Sequence, residues 1–334
     1  MGKVGKSSYL FHNVYIKSFS SVVGLKEYNG PIGKYFDEHF DSLLVDGEKS
    51  FEKSEIAMNK KSISLCLTKA NLSENDVNVC FAGDLNNQIS ISSYTLRDIN
   101  IPFIGIFAAC STCTLGIINS AFYLENNGSY ALSCTSSHNC TAERQFRYPN
   151  EYGTQRAETY TSTVTGASSI LLTNEKTNLV VRRATIGRVV DGNFKDSQDM
   201  GRAMAPSAYH TIKRHLLDFN LTIDEYDKIF TGDLSTYGSK LLIDLFKEDG
   251  IDISNKYEDC GNIIYDKENQ EVMSGGSGCG CVGVVLSGYI LKKLLSHEYK
   301  KVLVCATGAL MNPIMLAQKE TIPSICHAVS IEVM

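Results

Sequence analysis

An α/β fold made of two pseudo-symmetric halves is predicted by three features of the sequence. One stretch repeats: Asn71-Leu-Ser-Glu-Asn-Asp-Val-Asn-Val-Cys-Phe-Ala-Gly-Asp-Leu85 aligns without gaps on Asn220-Leu-Thr-Ile-Asp-Glu-Tyr-Asp-Lys-Ile-Phe-Thr-Gly-Asp-Leu234. Identities fall at Asn71/Asn220, Leu72/Leu221, Phe81/Phe230, Gly83/Gly232, Asp84/Asp233 and Leu85/Leu234. Each copy is followed by a segment without charge, Ile101 to Leu124 and Val272 to Leu291. Finally, 334 residues with 43% apolar side chains suffice for a packed core of about two domain equivalents at roughly 150 residues each. The division expected is residues 1–190 and residues 191–334.

Taken in order, Glu55 to Ala70 reads as a helix, then a capped turn, then a short strand ending at Gly83-Asp84. The uncharged segment Ile101 to Leu124 is long enough for a membrane span. Its Pro102, Ser111, Thr112, Thr114, Asn119 and Ser120 argue instead for a buried strand, a small-residue turn and a buried helix. Tyr130 to Cys134 is a further buried strand, and Thr135 to Pro149 reads as a polar loop. Gly166 to Leu172 and Leu179 to Arg188 form a hairpin-like pair, and Arg188 to Met204, rich in Gly and Asp, links the halves. The series then recurs: helix Ala205 to Phe219, strand to Gly232-Asp233, glycine-broken segment Val272 to Leu291, strand Lys301 to Cys305, and strand Ile325 to Ile331. Asp84 and Asp233 are expected to cap the helices that follow them rather than to serve a pocket.

Charge and composition narrow the function. Lys and Arg total 32 against 37 Asp and Glu, a net charge of −5, and basic residues do not cluster, so nucleic acid is not an expected partner. The N-terminus lacks a signal-peptide pattern, and eleven cysteines, an odd number, read as reduced thiols of an intracellular chain.

Cys110, in Phe107-Ala-Ala-Cys-Ser-Thr-Cys-Thr-Leu-Gly116, falls at the expected strand-to-helix turn. Backbone N–H groups and the helix dipole there lower a thiol pKa, which is the setting of a nucleophile. The polar loop concentrates His138, Asn139, Arg144, Gln145 and Arg147, and paired guanidinium forks suit a carboxylate or phosphate. Gly278-Cys-Gly-Cys-Val-Gly283 matches a dinucleotide fingerprint only in letters, and Cys110-x-x-Cys113 lacks a second ligand pair, so neither nucleotide cofactor nor resident metal is expected.

A duplicated α/β half with a cysteine at a buried turn resembles the thiolase superfamily. Within it, the chain is similar to the stage V sporulation protein AD family from about Phe11 to Glu332. The words carrying the resemblance are Gly83-Asp-Leu-x-Asn-Gln88, Ala109-Cys-Ser-Thr112, Thr135-Ser-Ser-His-Asn-x-Thr-Ala-Glu-Arg-Gln-Phe-Arg-Tyr-Pro149, Glu151-Tyr-Gly153, Asp199-Met-Gly201, Gly275-Gly-Ser-Gly-Cys-Gly-Cys281 and Ala306-Thr-Gly-Ala-Leu310.

The resemblance implies a thiolase-like fold in five layers, α-β-α-β-α, paired as a homodimer. It also implies a non-catalytic binding protein for dipicolinic acid (pyridine-2,6-dicarboxylate), with calcium as a possible part of the ligand complex. The residues assigned to the ligand on this basis are Cys110, Phe107, His138, Asn139, Arg144, Gln145, Arg147 and His327. Expected partners are integral membrane proteins of the same sporulation transport system, with this chain peripheral to the forespore inner membrane. The alternative is an acyl-thioester condensing or degrading enzyme with Cys110 as nucleophile. Against it, synthases of the superfamily carry a His-x-x-Asn element after the strand that here ends Ile229-Phe-Thr-Gly-Asp-Leu-Ser235, and this chain has no histidine there.

Overall fold

The computed structural model describes residues 1–126, 128–146 and 155–334. Ten strands form the path of its main sheet: β1 (Tyr15–Gly24), β2 (Val79–Gly83), β3 (Phe103–Gly105), β4 (Tyr130–Ser137), β5 (Gly166–Thr173), β6 (Leu179–Thr185), β7 (Lys228–Thr231), β8 (Tyr257–Asp259), β9 (Lys301–Ala309) and β10 (Pro323–Val333). Their order is β8-β7-β9-β10-β6-β1-β5-β4-β2-β3. The path is two five-strand sets of one topology, β3-β2-β4-β5-β1 and β8-β7-β9-β10-β6. In each set the first three strands run parallel and the last two join antiparallel. The sets meet at one pair, Val180 opposite Tyr15.

The repeated words have a local cause. Helix α1 (Phe51–Ala70) is capped by the Ser50 hydroxyl, which accepts from the Lys53 N–H at 3.3 Å. It ends on Asn71 in the left-handed conformation (φ 54°), and the matching helix, α5 (Met200–Phe219), ends on Asn220 the same way (φ 52°). Asparagine tolerates that conformation, so the aligned asparagines are matched helix stops. Phe81 and Phe230, also aligned, both point into the core.

Helices α1 and α2 (Ser90–Arg97) cover the outside of the first set, while α5 and α6 (Ser235–Glu248) cover the outside of the second. Between the sets lie α3 (Thr112–Glu125) and α7 (Cys279–Val285), the latter continuing through a π-turn (Leu286–Ile290) into Leu291–Leu295. Helix α3 touches β2, β4 and β5 on one side and β9 and β10 on the other. Ile117, Ile118, Val282, Val285 and Leu286 fill this middle layer. The five-layer α-β-α-β-α arrangement is therefore present. Among the described residues no helix is long and apolar enough to cross a membrane.

Two local expectations are corrected. Gly166–Leu172 and Leu179–Arg188 do not pair as a hairpin: β5 lies between β4 and β1, whereas β6 joins β10 in the second set. The stretch read as a loop after Cys134 continues as strand to Ser137 and then forms helix α4 (Asn139–Phe146).

Candidate functional site

Cys110 sits where the chain turns into α3. Ala109 adopts φ 48°, a conformation costly for a residue with a Cβ. The Thr112 side chain braces the turn, donating to the Ala109 carbonyl (2.6 Å) and accepting from the Ala108 N–H (3.0 Å). The second half grips it as well: Ser111 Oγ donates to the Ala306 carbonyl (2.6 Å) and accepts from the His327 N–H (3.1 Å). Position 308 must be glycine for this approach, because a Cβ there would lie 2.4 Å from the Ala108 oxygen.

A small cavity, of about 40 Å³, opens over Cys110. Its walls are mostly apolar, with Leu85, Phe107, Phe146, Met200 and Met311, and Ser277 is its most buried polar group. Helix periodicity places Ala142 and Phe146 of α4 on this cavity and turns Arg144 outward.

The group that governs the thiol is Asp233. It is fully buried, and its carboxyl accepts from Thr307 Oγ1 (2.6 Å), Ser277 Oγ (2.9 Å) and the Gly278 N–H (3.1 Å), with the Cys110 thiol hydrogen-bonded to it as well. Burial holds this carboxyl above its ordinary pKa against those donors. Burial first, then the Asp233 charge, pushes the Cys110 thiol well above its ordinary value. The expected lowering by the helix terminus is thus overturned: desolvation and a neighbouring acid outweigh the dipole. Cys279 lies beside Cys110 and donates to the Ser136 carbonyl at 3.0 Å.

The capping expectation divides between the two aspartates. Asp84 does cap, accepting from the Ser92 N–H (2.8 Å) and Oγ (2.7 Å) in the first turn of α2. Asp233 does not. Asp259 takes that place at α6, accepting from the Leu234 and Ser235 N–H groups at 2.9 Å each, which leaves Asp233 for the cavity.

Of the other residues assigned from sequence, Phe107 stands at the cavity mouth, 54% exposed, and also lines an adjoining groove with Gln145. Gln145 is fixed there by donating to the Leu85 carbonyl (2.7 Å) and accepting from the Asn87 N–H (2.9 Å). Asn139 donates to the Thr163 carbonyl (3.1 Å) and faces a neighbouring cleft with Glu27 and Tyr265. Arg144 is exposed and ion-paired with Glu52.

His138 and His327 do not line the cavity. His138 is buried with Nε2 2.9 Å from the Leu43 carbonyl and Nδ1 accepting from the Cys140 N–H, and burial lowers its pKa. Nδ1 of His327 accepts from the Gly187 N–H at 3.2 Å, and burial depresses that imidazole to about 4. Arg147 lies outside the described residues. Cys110 and Phe107 therefore share one cavity, Gln145 and Asn139 flank it, and Arg144 and the two histidines face elsewhere. Among the described residues no cluster of three or more His, Cys, Asp or Glu is placed to hold a metal ion.

Residues 5–332 match the family described as stage V sporulation protein AD. The chain is 43% identical over 335 residues to the stage V sporulation protein AD of Bacillus subtilis (strain 168), covering 99% of this chain and 98% of that protein. Among solved structures, a variant of OleA from Xanthomonas campestris superposes with a TM-score of 0.61 at 14% identity, covering 97% of each chain. Cerulenin-bound OleA gives a TM-score of 0.62, also at 14% identity, covering 97% of this chain and 98% of that one. At such identity the likeness is one of fold.

Proposed function

This chain belongs to the stage V sporulation protein AD family, and from that membership together with the Cys110 site we propose that it is a non-catalytic binding protein for dipicolinic acid. The observation that carries the proposal is the Cys110–Asp233 pair. Acyl transfer through cysteine needs a thiolate, supplied by a lowered pKa or an adjacent base, and groups that polarise the thioester carbonyl. Here the thiol is raised by burial and by an acid hydrogen-bonded to it, and the two imidazoles nearest in sequence to the site words, His138 and His327, are engaged in the core. The cavity keeps the apolar walls and few polar groups of a small-molecule site.

In this reading the pyridine ring packs on Phe107. Its carboxylates turn toward the mouth, because the Asp233 carboxyl at the base disfavours a second buried anion. Gln145 and Asn139 flank that mouth, and Arg144 would need to leave Glu52 to reach it. Calcium would travel with the ligand's own carboxylates. The protein would act as a homodimer beside integral membrane proteins of the same sporulation system, peripheral to the forespore inner membrane.

The test is calorimetric titration of purified protein and of Cys110→Ala with dipicolinic acid, with and without calcium chloride, beside intact-mass analysis after incubation with acetyl-CoA. The expected result is saturable binding by both proteins and no acetyl adduct. Absence of binding together with acetylation of Cys110 would replace this reading with that of an acyltransferase.

A further inference from the structure

A second cavity, of about 340 Å³, lies where three chain segments meet: Lys6-Ser7, Thr185 to Arg188 at the end of β6, and His210, Thr211 and Arg214 on α5. None of its lining residues lines the Cys110 cavity. The site is built from below. Asp218 accepts from Ser8 Oγ (2.8 Å) and from Arg214 Nε (3.0 Å), and its other oxygen pairs with Arg214 Nη2 at 2.9 Å. Gly5 (φ 66°) is pressed against the same carboxylate, where a Cβ would approach within 2.3 Å, and so delivers Lys6 to this face. Under the cavity, Thr185 Oγ1 joins Ser8 Oγ (2.8 Å) and His215 Nδ1 (2.9 Å) in a buried network.

The charges do not balance. Asp218 answers one of the three full positive charges of Lys6, Arg188 and Arg214. Among the described residues Arg188 meets no carboxylate; its one side-chain contact there is Nη2 to His210 Nε2 at 3.4 Å, and Lys6 is likewise without an acidic partner. Partial burial, then Arg188 and Lys213, hold the His210 imidazole below its ordinary pKa, so the existing field opposes a further positive charge and favours an incoming negative one. Two uncompensated charges, the open guanidinium fork of Arg188, the Nη donors of Arg214 that Asp218 leaves free and an adjacent imidazole match a dianion bearing several acceptor oxygens.

We propose that this second cavity binds a phosphate group, seated between Arg188, Arg214, Lys6 and His210. The assignment is independent of the dipicolinate reading, because it uses other residues on another face. A free phosphoester and a lipid headgroup would present the same group.

The experiment is NMR titration of the His210 ring proton, assigned by its loss in His210→Gln, with inorganic phosphate against chloride at equal ionic strength. Phosphate should shift that resonance saturably where chloride does not, and Arg188→Ala should weaken the effect about tenfold, as for loss of a charge-assisted hydrogen bond. Arg188 is exposed and without an acidic partner, so its truncation should leave the melting temperature unchanged, and Arg214→Lys tests the fork separately with charge retained. Sedimentation with phosphatidylglycerol vesicles that is lost in Arg188→Ala would assign the group to a lipid, and a response to free phosphate alone would assign it to a soluble ligand. No saturable shift with either probe, or an undiminished shift in Arg188→Ala, overturns the proposal. A stronger His210 response to dipicolinate than to phosphate would overturn the choice of phosphate.

Discussion

Removing the charge at Asp233 is the direct way to release the Cys110 thiol. Asp233→Asn should bring the thiol pKa down, and alkylation of Cys110 by iodoacetamide at pH 8 should quicken about tenfold, the equivalent of one pKa unit, as followed by peptide mass spectrometry. The same substitution turns an amide NH₂ either toward the Gly278 N–H and Ser277 hydroxyl, which share Oδ2, or toward the Thr307 hydroxyl on Oδ1, so the protein should also melt earlier. Cys110 was legible in the sequence because its turn is written in small residues after a buried strand. Asp233 was not, because both copies of the repeat spell Gly-Asp-Leu, and only the fold shows Asp259 arriving from a neighbouring strand to take over the cap. His138 misled for a related reason. A histidine among polar residues reads as solvent-facing, yet the Leu43 carbonyl and the Cys140 N–H engage both its ring nitrogens inside the core.

Among the elements, α1 carries a buried acid that ties it to β4, α4 and the loop after β2. Glu55 accepts from Ser136 on β4 (2.9 Å), Thr141 on α4 (3.0 Å) and Asn86 (3.3 Å), and burial, then the nearby Asp84 charge, pushes its carboxyl up to about 8. Because the folded state holds this proton more tightly than the unfolded chain, the stabilisation is complete below the unfolded value near 4.5 and is lost as pH rises toward about 8. Asp259, pushed up to about 6, contributes with the same sign. Depressed imidazoles such as that of His327 act with the opposite sign up to about pH 6.5, so urea unfolding measured from pH 7 to pH 8 should show falling stability, and Glu55→Gln should flatten that slope. At α7, a Cβ on Gly280 would stand 2.7 Å from the Gly166 carbonyl and 3.0 Å from the Ser137 N–H. Gly280→Ala should therefore cost about 2 kcal/mol by chemical denaturation, as an overpacked backbone contact. The repeated helices and strands were readable from caps and apolar runs. Helix α4 was hidden because its inward stripe is short, essentially Ala142 and Phe146, among residues that favour loops. The β5–β6 hairpin was suggested by a short exposed connection, but both strands find their partners at longer range.

For the whole molecule, the duplication visible in fifteen aligned residues extends to two strand sets of identical order, and the site belongs to neither alone. The turn holding Cys110 comes from the first half, while Asp233, Ser277 and Gly308 come from the second. Each half also lends one helix to the shared middle layer, so its apolar face is covered only when both are present. The sheets, in contrast, are joined only at the Val180–Tyr15 pair and by the short N-terminal strand Ser8–Leu10 lying on β6, and the connection Asn174–Asn178 between β5 and β6 is largely exposed. A chain cut within that connection should behave as a complementation system: two fragments that aggregate or stay unfolded when separate, and that regain one cooperative melt when refolded together. Co-elution on gel filtration and recovery of the melt would show it, and either fragment folding unaided would argue that the middle layer is not what holds the halves together. Function could then be switched by mixing, since the fragment with the cysteine and the fragment with the acid that controls it would be separate molecules.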